Sequence, residues 1–170
     1  SIINEFIKSG LLFNENISIH TLVNIKSTKK DKIFNEAKLE LKVLNGKISF
    51  DKSIFINNNI GLMEISNSDL FLEKDKLILT ANLSINIKNT DKLYSFLSTN
   101  KRLRKDIKNI KLNIIYDFLG NEIAFKNIKI DDNKVSDQFY NIAEGFSDNN
   151  LNNLTKSRRL LNELISLYEG

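Results

Sequence analysis

Residues 76–88, KLILTANLSINIK, alternate in character along nearly their whole length. Leu77, Leu79, Ala81, Leu83, Ile85 and Ile87 fall on one side of an extended chain. Lys76, Thr80, Asn82, Ser84, Asn86 and Lys88 fall on the other, and Ile78 alone breaks the pattern. A sustained period of two is incompatible with a helix, whose apolar positions recur at three and four, and requires a β-strand with one dry face. The same period returns at Ile17, Ile19, Val23 and Ile25, at Ala37, Leu39, Leu41 and Val43, and at Ile110, Leu112, Ile114, Tyr116 and Phe118. The chain is therefore a builder of antiparallel sheet, and its question is what lies against the dry face.

Turn chemistry orders the strands. Asn45-Gly46 stands between alternating segments, the strongest short hairpin signal. Leu70 and Leu72 lead over Glu73-Lys74-Asp75 into the 76–88 strand, and Gly120-Asn121 joins the 110–118 strand to a partner holding Ile123 and Phe125. Because Ile128 and Ile130 are out of phase with Phe125, a β-bulge is expected near Asn127. A strand or bulged loop is expected through Ile54 to Ile65, broken at Asn57-Asn58-Asn59. Helical spacing marks Ser1 to Ser9, ended by Gly10, and a short helix with Leu93, Phe96 and Leu97 capped from Asn89-Thr90-Asp91. After Asp131-Asp132-Asn133, two helical segments close the chain. One groups Val135, Phe139 and Ile142, and the other stacks Leu161, Leu164, Ile165 and Tyr168. The expected fold is mainly β (α+β): a curved, antiparallel, meander-type sheet of about seven strands with short inserted helices and a C-terminal amphipathic helix. Residues 1–170 are expected to form a single β-rich domain, and the opening on Ser1 suggests a piece of something longer.

Composition removes most chemistry. Asn, Ile and Lys fill about 70 of 170 positions, which has the look of AT-rich coding, so the net charge of +4 is a weak signal and nucleic acid is not an expected partner. Cysteine is absent, which excludes a disulfide frame or thiolate metal site. His20 is the only histidine and falls on the polar side of its strand, as a solvated residue would. The run from Asp131 through Asn133 to Asp137 begins like a calcium loop, but has Ser136 where glycine is needed and Ile142 where the bidentate glutamate belongs. The six glycines form no phosphate-cradling motif. Neither an enzyme nor a cofactor site is expected. The densest charge, Lys101, Arg102, Arg104 and Lys105, is a solvated link or a contact for anionic lipid headgroups.

Seven strands make a face roughly 30 Å wide, and a packed helix covers about 10 Å of it. The expected helices cover about half. Burial of the rest requires a sheet closed on itself, another domain or an apolar ligand, and the arithmetic leaves these open.

The tail Arg158-Arg159-Leu160-Leu161-Asn162-Glu163-Leu164, running to Leu167-Tyr168-Glu169-Gly170, resembles the C-terminal end of proteobacterial AsmA-like proteins. Gly46-Lys47-Ile48-Ser49-Phe50, Asn67-Ser68-Asp69-Leu70, the helix from Asp91 to Leu97, the basic link and the closing hairpin extend the resemblance over residues 35–170. It implies a periplasmic, non-enzymatic segment of a large Gram-negative envelope protein, anchored in the inner membrane from outside this stretch. Its partners would be phospholipid or another acyl lipid and an upstream β-rich region of the same chain. Its sheet would line or cap a hydrophobic groove for phospholipid transport between inner and outer membranes, linked to outer-membrane assembly. The residues expected to contact lipid are Leu77, Leu79, Leu83, Ile85, Ile87, Ile110, Leu112 and Ile114, with Lys101, Arg102, Arg104 and Lys105 at headgroups. The alternative is a purely structural β-scaffold or protein-interaction module.

Overall fold

Alternation becomes pairing in the order of the chain. The computed structural model describes residues 9–27, 33–74, 76–146 and 154–168. The strands are β1 (Ser18–Lys26), β2 (Glu36–Leu44), β3 (Lys47–Ser49), β4 (Ile54–Asn57), β5 (Gly61–Glu73), β6 (Lys76–Ile87), β7 (Asn109–Asp117), β8 (Glu122–Ile130) and β9 (Asn133–Lys134). They form one antiparallel sheet in the order β1-β2-β3-β5-β6-β7-β8-β9, with β4 pairing β2 and β5 beyond the end of β3. The meander is as expected, but among the described residues it has nine strands rather than about seven. The excess comes from three short pieces. β3 and β4 are halves of one interrupted strand, and β9 is too short for any periodicity. The expected helix at residues 1–9 lies almost wholly outside the described residues.

Local chemistry explains the turns. Asn45 and Gly46 both adopt positive φ, 50° and 74°, the backbone that matches the twist of a two-residue hairpin. Asp131 and Asp132 do the same at 49° and 66°, so this pair turns the chain into β9 rather than simply opening a helix. Gly61 has φ 155°, and a Cβ there would stand 2.0 Å from the Asn86 carbonyl oxygen, so β5 can approach β6 only with glycine. Asn127 has φ 51° at a register shift between β7 and β8, which is the expected bulge. A second bulge lies in β5, where Asn67 has φ 48° and pairing with β6 shifts between Ser66 and Asp69. It moves the dry side from Met63 and Ile65 to Leu70 and Leu72, which makes one continuous strand of what the sequence presents as two segments.

Where β3 gives way to β4, side chains replace the backbone ladder. Fully buried Ser53 accepts the Glu40 N–H at 3.0 Å. Asp51 accepts both the N–H and the hydroxyl of buried Ser68, at 2.7 and 2.6 Å, and the Ser68 hydroxyl accepts the Phe50 N–H at 2.7 Å. This seam runs between β2 and β5 and satisfies backbone groups that burial would otherwise penalise.

Among the described residues three α-helices accompany the sheet: α1 (Thr90–Leu97), inserted between β6 and β7, and α2 (Asp137–Ala143) and α3 (Leu154–Leu167), which follow the last strand. Asn89 caps α1 by accepting the Lys92 N–H at 2.9 Å. The face of α3 is rotated slightly from expectation, with Leu160, Leu164 and Ile165 buried and Leu161 half-buried. Asn162 ties α3 to α1, accepting from the Thr99 hydroxyl at 2.6 Å and donating to the Leu97 carbonyl at 3.0 Å. Among the described residues no helix is long and apolar enough to cross a membrane.

Candidate functional site

The pairing register puts all eight expected apolar residues on one face of the sheet. Leu79 lies opposite Tyr116, Ala81 opposite Ile114, Leu83 opposite Leu112, and Ile85 opposite Ile110. Cover over that face is uneven. At the β7–β8 side, Ile87, Ile110 and Leu112 pack against a cluster of Ile107, Ile128, Ile130, Phe139, Phe146, Leu160 and Leu164, contributed largely by α2, α3 and the turn between them. Phe146 meets Phe125 edge-on at 5.9 Å between ring centres. At the β3 end of the strands, Leu77 and Leu79 are 5% and 9% exposed. They pack with Val43, Ile48 and Leu70 beside Phe13, Ile17, Phe50 and Leu119. Ile114 is buried with Ile65 and Ala81, and half-buried Leu83 packs against them.

Ile85 stands elsewhere. It pairs Met63 of β5, Met63 pairs Phe55 of β4, Phe55 pairs Ala37 of β2, and Ala37 pairs Ile25 of β1. These residues form one apolar rung crossing five strands, about 19 Å from Ile25 to Ile85 at the usual strand spacing. Ile85, Met63 and Phe55 are half-buried, as is Leu39 one step along β2, and Ala37 is buried. Ile25, Val23 and Ile19 are 47%, 42% and 40% exposed. Among the described residues the helices cover one side of the dry face, and no helix covers the rung on the side built by β1, β2 and β4, where the Phe34 ring lies 5.6 Å from that of Phe55. Of the expected residues, Ile85 alone lies on this rung, with Leu83 at its margin. Val23, Ile25 and Leu39 are expected on the dry sides of their own strands but not as lipid contacts, and Phe55 and Met63 are not singled out, because membership of the rung depends on which strand pairs with which, and alternation within a strand carries no such information.

The basic link lies at the same end of the sheet as the rung, between α1 and β7. Lys101 and Arg102 are exposed on a 3-10 turn. Arg104 turns inward, where its Nε donates to the Thr99 carbonyl at 3.2 Å and its guanidinium lies 5.9 Å from the centre of the Tyr94 ring. Lys105 is fixed through its backbone, since buried Tyr94 accepts its N–H at 2.9 Å and donates to its carbonyl. Half of the cluster is thus presented outward, and half is drawn into the packing around α1.

Several of the remaining polar groups are occupied in structure. His20 is exposed and its Nε2 lies 3.0 Å from Glu40, which also takes Lys42 at 2.8 Å. The Lys42 ammonium and then His20 hold the Glu40 carboxyl below its usual range. Asp131 accepts the N–H groups of Lys108 and Asn109 at 2.9 and 2.8 Å, and Asp132 pairs Lys111 at 2.7 Å. Asp137 opens α2. Among the described residues there is no group of three His, Asp or Glu that could hold a metal ion. A cleft of about 570 Å³ at the outer part of β8 contains Lys76, Asp117 and Glu122, but Lys76 is already paired with Asp117 at 3.3 Å. No family model matches the chain, and no curated protein or solved structure is significantly similar to it.

Proposed function

We propose that this chain is the C-terminal part of an AsmA-like envelope protein, periplasmic and held at the inner membrane by an anchor outside residues 1–170. In this proposal it is non-enzymatic, and its sheet lines or caps a hydrophobic path for phospholipid between the two membranes. The observation that carries the proposal is the half-covered dry face. Helices close it over β7 and β8, while among the described residues no helix covers the rung from Ile25 to Ile85, although leaving apolar surface in water forgoes roughly 25 cal/mol per Å². An acyl chain laid along the rung recovers that energy, and Lys101 and Arg102 stand at the same end of the sheet to meet an anionic headgroup. Within this reading Ile85, Leu83, Met63, Phe55, Leu39, Val23 and Ile25 touch lipid. Leu77, Leu79 and Ile114 form the packed support beneath it.

A photo-crosslinking residue at Ile85 tests this, with Asn82 on the opposite face as control. Copurifying phospholipid should be captured at position 85 and not at 82. Equal capture at both positions, or none at either, would refute the lipid path and leave the structural scaffold.

A further inference from the structure

The edge of the sheet carries a second message. Among the described residues β1 is the terminal strand of the sheet and pairs with β2 alone. Its hydrogen-bonding phase follows from its neighbours. The Ser27 N–H donates to the Asn35 carbonyl, and on β2 the Glu40 N–H faces away from β1 toward Ser53. Odd-numbered residues of β1 therefore direct their backbone groups at β2. Ser18, His20, Leu22, Asn24 and Lys26 direct theirs outward. Edge strands are normally blunted by proline, a bulge, or charges along the strand. β1 has none of these before Lys26, and instead exposes apolar side chains on both faces, with Leu22 67% exposed on the otherwise polar side.

Its sequence is chemically palindromic. In Ile19-His20-Thr21-Leu22-Val23-Asn24-Ile25, Leu22 is the centre, with β-branched Thr21 and Val23 flanking it, then His20 and Asn24, then two isoleucines. A two-fold interface needs residue i to meet j and j to meet i. Antiparallel pairing of β1 with a second β1 about Leu22 does this in the correct phase. Leu22 opposes Leu22, His20 opposes Asn24, Ser18 opposes Lys26, and Ile19 opposes Ile25. Every directly opposed pair is free of like charge, and about ten backbone hydrogen bonds form.

We infer that β1 pairs with β1 of a second copy of this chain, giving a two-fold dimer with one sheet running through both protomers. The open sides of the two dry faces then lie next to each other at the dimer axis. The inference rests on the edge and its palindrome, and holds whether or not lipid occupies the face.

Sedimentation equilibrium should show a monomer–dimer equilibrium. Leu22→Pro removes an outward N–H that has no partner among the described residues, so the fold persists. With two hydrogen bonds lost per dimer, the dissociation constant should rise by about thirtyfold or more. The chain has no cysteine, so single cysteines report the register. Leu22→Cys should crosslink to itself on mild oxidation, Ile25→Cys alone should not, and mixing Ile19→Cys with Ile25→Cys should give the heterodimer. A wild-type chain that stays monomeric at its highest soluble concentration overturns the inference. So does a dimer indifferent to Leu22→Pro, or self-crosslinking at Ile25 as efficient as at Leu22. A monomer whose His20, Leu22 and Asn24 amides exchange slowly would show that the chain covers its own edge, and overturns it equally.

Discussion

Two substitutions of one type separate packed support from open strip. Leu79 is 9% exposed and sits among Val43, Ile48, Leu70 and Leu77. In Leu79→Asp the lost burial costs about 2–3 kcal/mol, and a carboxylate with no partner in that cluster adds several more. The sum, on the order of 5–8 kcal/mol, matches the whole stability of an ordinary domain. Ile85 lies on the half-buried rung beside Met63, where a carboxylate turns into water without displacing a roof of side chains. Ile85→Asp should cost about 1–2 kcal/mol, which for a chain of this size lowers the melting temperature by roughly 2–8 °C. Thermal and urea unfolding followed by circular dichroism provide the assay. Leu79→Asp should show no cooperative transition at room temperature, and Ile85→Asp a normal but shifted one. Equal collapse of both variants would mean that the rung is as closed as the core, and the distinction drawn here between the two regions would fail.

Other outcomes follow from single contacts. Tyr94→Phe strands the N–H and carbonyl of Lys105 and should cost about 1–3 kcal/mol in urea titration, whereas a change under 0.5 kcal/mol would mean that water already serves those groups. Asp117 is held below the usual carboxylate range by the Gly120 N–H, then the Leu119 N–H and the Lys76 ammonium, against the opposing effect of burial. Because its folded pKa is depressed, its contribution is present above the unfolded value near pH 4 and disappears as pH falls through the folded one. Melting curves from pH 6 to below about pH 3 should therefore fall less steeply for Asp117→Asn than for the parent, and parallel acid limbs would contradict the assignment. Sedimentation with anionic vesicles at low salt should weaken for the Lys101→Glu, Arg102→Glu double variant and release at high salt. Unchanged binding would remove these two residues from any headgroup contact.

How much of this was legible beforehand depended on range. Asn45-Gly46, the Asn89 cap and the phase slip at Asn127 are properties of a few adjacent residues, and each appears where local chemistry puts it. The β5 bulge was obscured because Ser66-Asn67-Ser68 looks like a polar loop. Only Asp51, far back in the chain, makes a buried Ser68 tolerable. β9 was missed because two aspartates in positive φ read as a helix opening as readily as a turn. The dry face was visible strand by strand, and Leu77, Leu79 and Ile85 looked equivalent on it. Their difference arises from Phe13 and Ile17 beside one end of the strands and, among the described residues, no comparable cover over Ile85, information that belongs to the assembled sheet.

The seam between β2 and β5 has a consequence for cooperativity. From β5 to β8 each strand is bonded to its sequence neighbour by a long backbone ladder, the local connectivity that forms early and opens last. β1, β2 and β3 join that block through the single Ile48–Leu70 rung, the short β4, the backbone bonds of Lys52 and Ser53 to Ile65, the Asp51–Ser68 side-chain bond, and the Val43 and Ile48 side chains packed on Leu70, Leu77 and Leu79. The backbone connection is thus sparse, and the N-terminal strands are held to the block chiefly by the packing of Val43 and Ile48, so this apolar contact governs their sub-global opening, of the kind seen as separate exchange classes in native-state amide measurements. Amides of β2 should exchange through that opening, at lower free energy than those of β6 and β7. The part of the sheet that carries the open rung is thus also the part that breathes first.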